Sequence, residues 1–193
     1  MKKIILLLLL SLSISAQQRD SVLVDKKTYK VMYSETLQQP LWVEYRVTCV
    51  GGKFHRKNLD FYVEPGYITS NEADYTGNEW DKGHLAPAAD FSCDKMELVA
   101  TFSYLNCALQ HERLNRGLWR VLEMQEREWA KKEPLTITVH VVFKNPKKLT
   151  TGASIPCGFY KTIYFERSKK VRKFYFDNMS PSVFTTIWDY EVD

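Results

Sequence analysis

Asp81-Lys82-Gly83-His84-Leu85-Ala86-Pro87-Ala88-Ala89-Asp90, then Leu105-Asn106-Cys107-Ala108-Leu109-Gln110, then Leu114-Asn115-Arg116-Gly117-Leu118-Trp119-Arg120-Val121-Leu122-Glu123, is the stretch on which the reading of this chain turns. Taken singly, these residues carry little. A lone histidine is more often a surface or satisfied structural residue than a catalyst, and an asparagine at a helix start is more often a cap. Together they suit chemistry on a phosphodiester. Its hydrolysis needs a base to deprotonate water, a hard cation to take charge on the phosphoryl and leaving oxygens, and a positive side chain to hold the phosphate. His84 titrates in the range such a base requires. Gly83 before it permits a backbone conformation or a close substrate approach that a side chain would block. If this segment is extended, Lys82 and His84 point the same way, so that cation and base face one phosphate.

Working outward, Leu114, Leu118, Val121, Leu122, Gln125 and Trp129 recur at helical spacing and predict an amphipathic helix over 114–131, with Pro134 beyond its end. On a regular helix Asn115 and Glu123 lie about 80° apart, with Trp119 between them. An amide oxygen and a carboxylate so placed suit a magnesium ion that keeps most of its waters, the amide binding it directly and the glutamate holding one of those waters. The competing reading makes Asn115 a helix cap and pairs Glu123 with Arg120 or Arg127 on the surface.

Upstream, Tyr29-Lys30-Val31-Met32-Tyr33 and Leu41-Trp42-Val43-Glu44-Tyr45-Arg46-Val47 alternate apolar with polar residues and read as two strands after a polar lead. Residues 53–80 form a long polar stretch punctuated by Pro65-Gly66, Ser70-Asn71 and Gly77-Asn78, and a loop of that length in a compact domain is usually functional. Downstream, 136–143, 162–165 and the aromatic end of 169–176 read as strands, with Ile155-Pro156-Cys157-Gly158 as a turn or edge. No repeat or linker interrupts them, so the fold class expected is α+β in one domain.

Residues 1–16 read as an export leader: Lys2 and Lys3, an apolar run over 4–10, and Ser13-Ile14-Ser15-Ala16 as a small-residue cleavage site. That apolar run is far short of the roughly 20 residues needed to span a bilayer. The expectation is therefore a domain over 17–193, periplasmic or extracellular, with no stable membrane association. The net charge of +4 falls to +2 once Lys2 and Lys3 are set aside, too little to argue for a polyanionic partner by itself. Cys49, Cys93, Cys107 and Cys157 permit up to two disulfides in an oxidising compartment, and buried free thiols are an equal alternative. No C-x-x-C pair offers a zinc site. The chain stops at Tyr190-Glu191-Val192-Asp193 without a stop signal, in what reads as the middle of an element.

The ordered set Asp81-Lys82-Gly83-His84, Leu85-Ala86-Pro87, Asn106, Gln110 and Asn115-x-Gly117-x-Trp119-x-x-x-Glu123 resembles the DNA/RNA non-specific endonucleases of the ββα-metal (His-Me finger) superfamily. Weaker similarity runs from Tyr33 to Tyr45 and from Ile155-Pro156 to Tyr160-Lys161. The resemblance implies a ββα-metal core with a central antiparallel sheet and flanking helices. It implies His84 as general base, Asn115 as the one direct protein ligand of hydrated Mg2+, with Mn2+ as a substitute, and Glu123 holding a metal-bound water. It implies Arg56 and Lys82 on the phosphate, Asn106 as a supporting polar residue, and products with 5′-phosphate and 3′-hydroxyl ends. Two positions depart from the family pattern: Lys82 stands where arginine is usual, and Leu109 where proline is usual. Lysine keeps the charge but loses the bidentate fork.

Lys53, Arg56, Lys57, Arg113, Arg116 and Arg120 gather near these motifs and suit a run of phosphates on DNA or RNA, though a solvated charged face competes. No base-reading module is present, which fits low sequence specificity. The alternative is a catalytically weakened nucleic-acid-binding protein on the same fold. A small-molecule phosphatase or esterase is disfavoured because histidines 55, 84, 111 and 140 lack ligand-pair spacing.

Overall fold

A computed structural model describes residues 18–47 and 49–193; the expected leader at 1–16 lies outside them. Alternation dictates the large element. Along β1 (Val22–Asp25), β2 (Tyr29–Ser34) and β3 (Gln39–Val47), and later β6 (Leu135–Val142), β7 (Gly158–Phe165) and β8 (Val171–Asp177), more and less buried residues largely alternate, though no residue of β1 is fully buried. With β9 (Glu191–Val192) they form a seven-stranded antiparallel sheet in the order β1-β2-β3-β6-β7-β8-β9. β1 lies in what the sequence reads as a polar lead; four residues are too few for a decisive period of two.

One sheet face presents Val31, Val43, Tyr45, Ile137, Phe159 and Phe174 to the core. The second unit packs against it. β4 (Trp80–His84) pairs antiparallel with β5 (Cys107–His111), His84 opposite Cys107 and Lys82 opposite Leu109. α1 (Lys95–Ala100) lies in the excursion between these strands, capped by Asp94, which accepts from the backbone N–H groups of Met96 and Glu97. After β5 the chain enters α2 (Glu112–Leu114), a π-helical turn over Asn115–Trp119, and α3 (Arg120–Ala130). This is a ββα unit whose Leu85, Leu105, Leu114, Trp119 and Leu122 join the main core.

The π turn corrects the expected helix phase. It kinks at Gly117 (φ −101°, ψ −115°) and brings Trp119, five residues after Leu114, onto the buried face. Val121 is therefore exposed, and Glu126 is fully buried in the stripe expected of Gln125. The 80° separation of Asn115 and Glu123 assumed an uninterrupted α-helix and does not hold.

The outer edge of β5 is closed by side chains. The Leu109 N–H donates to Gln39 Oε1 at 2.9 Å, and Asn178 donates to the Leu109 carbonyl at 2.9 Å while accepting from the His111 N–H at 2.8 Å. Both tie the ββα unit to the large sheet. Cys49 and Cys93 form a disulfide, while Cys107 and Cys157 are free. Among the described residues no helix is long and apolar enough to cross a membrane.

Candidate active site

β4 delivers alternate side chains to an open cleft of about 920 Å³, whose lining includes His84, Lys82, Arg56, Asn115, Glu123 and Arg120. The long polar segment supplies the facing wall through His55, Arg56, Asp60 and Phe61. Of the residues expected in the site, Asn106 is the one that does not line the cleft. It is fully buried and acts on the chain just after His84: its amide accepts from the Ala86 N–H (2.8 Å) and donates to the carbonyls of Ala86 and Thr101 (both 2.9 Å). Gly83 also has a local reason. A Cβ there would meet the Gln110 side chain at 2.5 Å, so the close approach is made by a neighbour in the ribbon and not by a substrate.

His84 is 9% exposed, and its buried Nε2 has no hydrogen-bond partner among the described residues. Phe61 and Phe102 hold the ring, with centroids at 4.5 and 4.8 Å. Burial, with the Arg56 guanidinium nearby, pushes the imidazole down to about 3, so it is a neutral acceptor at ordinary pH. A stability effect follows. Between pH 6.5 and 3 the unfolded chain takes up a proton at His84 that the folded chain excludes, so acidification through that window costs up to about 1.4 kcal/mol per pH unit at this residue. Replacement by asparagine removes this loss. Urea melts of metal-free protein are expected to show the His84→Asn variant gaining on wild type as pH falls across the window; parallel curves would mean that folded His84 protonates normally.

Asp81, to which sequence reasoning gave no role, organises the opposite wall. Its carboxylate accepts from Asn115 Nδ2 at 2.9 Å and from Arg116 at 2.9 and 2.6 Å. A carboxylate only accepts, so the Asn115 amide is oriented with Nδ2 toward Asp81, leaving Oδ1 without a protein donor among the described residues. The Glu123 carboxylate also has no hydrogen-bonding or ionic partner there, because Arg127 pairs with buried Asp90 at 2.9 Å. Burial, with Glu126 and Asp90 near and Lys161 only partly offsetting them, pushes Glu123 up to about 7. A free amide oxygen and a free carboxylate are hard donors that fit a cation keeping most of its water. Among the described residues no cluster of three or more His, Cys, Asp or Glu side chains is placed to hold a metal.

Lys82 differs from the other cleft cations by its company. It is bonded to Asp60 Oδ1 at 3.0 Å and tightly to Glu72. Burial pulls its ammonium down, but the two carboxylates outweigh that and hold it above its ordinary value.

A β-ribbon leading into a helix, with histidine at the end of its first strand and asparagine at the helix start, is the core of a ββα-metal nuclease. A chain in the crystal structure of the EndoG/EndoGI complex has this fold, with a TM-score of 0.77 at 22% identity over 89% of this chain and 80% of that one. Residues 10–186 match the DNA/RNA non-specific endonuclease family, and the chain belongs to it. Relatives include the mitochondrial nuclease EXOG of Danio rerio, 32% identical over 52% of this chain and 31% of that protein. The mitochondrial endonuclease G of Homo sapiens is 31% identical over 54% and 37%, and a nuclease of Serratia marcescens 28% identical over 83% and 66%. The chain thus spans about a third to two thirds of the length of these relatives.

Proposed function

We propose that this protein is an exported, sugar-non-specific endonuclease that hydrolyses phosphodiester bonds in DNA and RNA with Mg2+, Mn2+ substituting. The observation that carries this reading is the neutral His84 imidazole at the wall of a cleft that also holds Asn115, Glu123 and Arg56. The His84 imidazole takes a proton from water as the water oxygen attacks phosphorus. The bond to the 3′ oxygen breaks, leaving 5′-phosphate and 3′-hydroxyl ends once that oxygen is protonated. Arg56 and Lys82 hold the phosphate, and Asn106 fixes the backbone behind His84. Asn115, turned by Asp81, and Glu123 would hold the cation, which when bound takes up charge on the phosphoryl and leaving oxygens.

Family membership and the basic residues around the cleft support a polynucleotide substrate. The sequence carries no zinc-finger spacing and no RNA-binding aromatic motif, which fits recognition through phosphates. The leader-like residues 1–16 support export, with 17–193 acting as one nuclease domain. Incubation of the purified protein with plasmid DNA and with RNA in magnesium is expected to degrade both, and chelator to stop both. Binding of both polymers with no cleavage in magnesium would instead establish the weakened binding protein on this fold.

A further inference from the structure

Four side chains with full positive charge line the cleft: Arg56, Lys82, Arg116 and Arg120. Two of them are already engaged. Lys82 is held between Asp60 and Glu72, and Arg116 is clasped by both oxygens of Asp81, with Glu112 at 3.3 Å as well. A cation whose charge is met by carboxylates must break those contacts before it can grip a phosphate.

Arg120 has no such ties. It is exposed, and among the described residues it makes no ion pair and no side-chain hydrogen bond. It is the first residue of α3, where the chain leaves the π turn, and stands three residues before Glu123, a spacing that puts both side chains on neighbouring parts of one helix face. A guanidinium there shares the cleft lining with Glu123 and Asn115, with its bidentate fork unspent.

We propose that Arg120 is a phosphate-binding residue of this cleft, supplying the fork-like grip on a substrate phosphate that Lys82, tied to Asp60 and Glu72, does not supply. The inference rests on the nuclease reading of the site. It also accounts for how the chain works with lysine at position 82: the forked donor sits on the helix instead of the strand.

The test separates this assignment from the reading beneath it. Binding of a labelled 30-base-pair DNA duplex is measured against salt concentration in the His84→Ala background with magnesium, and steady-state cleavage in the otherwise native chain. Arg120→Gln is expected to reduce the slope of log affinity on log salt by about 0.9, one phosphate contact. It should also raise KM about ten-fold with a smaller change in kcat, as loss of a charged hydrogen bond implies. Lys132→Gln, at an exposed position beyond the end of α3 and outside the cleft lining, should keep the native slope. Adding Glu72→Gln to Arg120→Gln removes one of the two carboxylates that hold Lys82 and should recover part of the lost affinity. An Arg120→Gln protein with native slope and KM, or one whose losses equal those of Lys132→Gln, overturns the assignment. A native chain that neither binds the duplex nor cuts DNA or RNA overturns the nuclease reading instead.

Discussion

His84→Ala is expected to lower kcat on plasmid DNA roughly 10³-fold in magnesium, while KM moves by less than a factor of three and the fold is retained. A positioned general base contributes typically 10²- to 10⁴-fold. The small change in KM follows from the charge state: a neutral ring contributes a proton acceptor and no ionic grip. Two causes hold its basicity low, burial first and then Arg56, and a phosphate that occupies Arg56 removes the second of them. On the proposed reading, His84 is expected to become more basic when substrate is in place. Single-turnover rates and circular dichroism on the same preparations check the prediction; activity within ten-fold of native would assign the proton transfer to another group.

The second large effect concerns stability. Lys161 and Glu126 are both fully buried and meet at 3.0 Å, with Lys161 also 4.2 Å from the centroid of the Trp119 ring and the Tyr45 hydroxyl 3.4 Å from the same carboxylate. Lys161→Met leaves Glu126 as a buried carboxylate without its cation. Breaking such a pair costs about 3–5 kcal/mol, whereas replacing both partners by apolar residues is often neutral. Urea unfolding at pH 7 is expected to show that loss in Lys161→Met and recovery of most of it in Lys161→Met with Glu126→Leu. A single-variant loss below about 1 kcal/mol would mean that water or the Tyr45 hydroxyl already satisfies Glu126. The pair joins β7 to the helix that carries Glu123, so the single variant also tests how firmly the cation-side wall is held.

Local patterns made much of this fold legible. Alternation located β2 and β3, and the motif around His84 gave both the strand and the family. What the sequence could not show is what arises only when distant segments meet. Gly117 inside an otherwise periodic helix was the visible sign of a phase change, but without the π turn the periodicity points to Gln125 and not to Glu126 as buried. The neutralisation of Lys82 depends on Asp60 and Glu72, which lie 22 and 10 residues away along a loop with no regular period. Asp81 stood in the motif, yet its task appears only once Asn115 and Arg116 fold against it. The cysteines were legible as a question, and pairing of Cys49 with Cys93 left two thiols free.

That disulfide has a topological meaning. The covalent circle it closes, whose ends are 44 positions apart, contains both Arg56 and His84, while Asn115 and Glu123 lie outside it. Cutting the backbone once anywhere inside the circle would leave two pieces still joined by sulfur, with the base and the arginine held to one another through the remaining arc or the bridge. The long exposed segment can thus be severed without this wall of the cleft separating from the rest of the molecule.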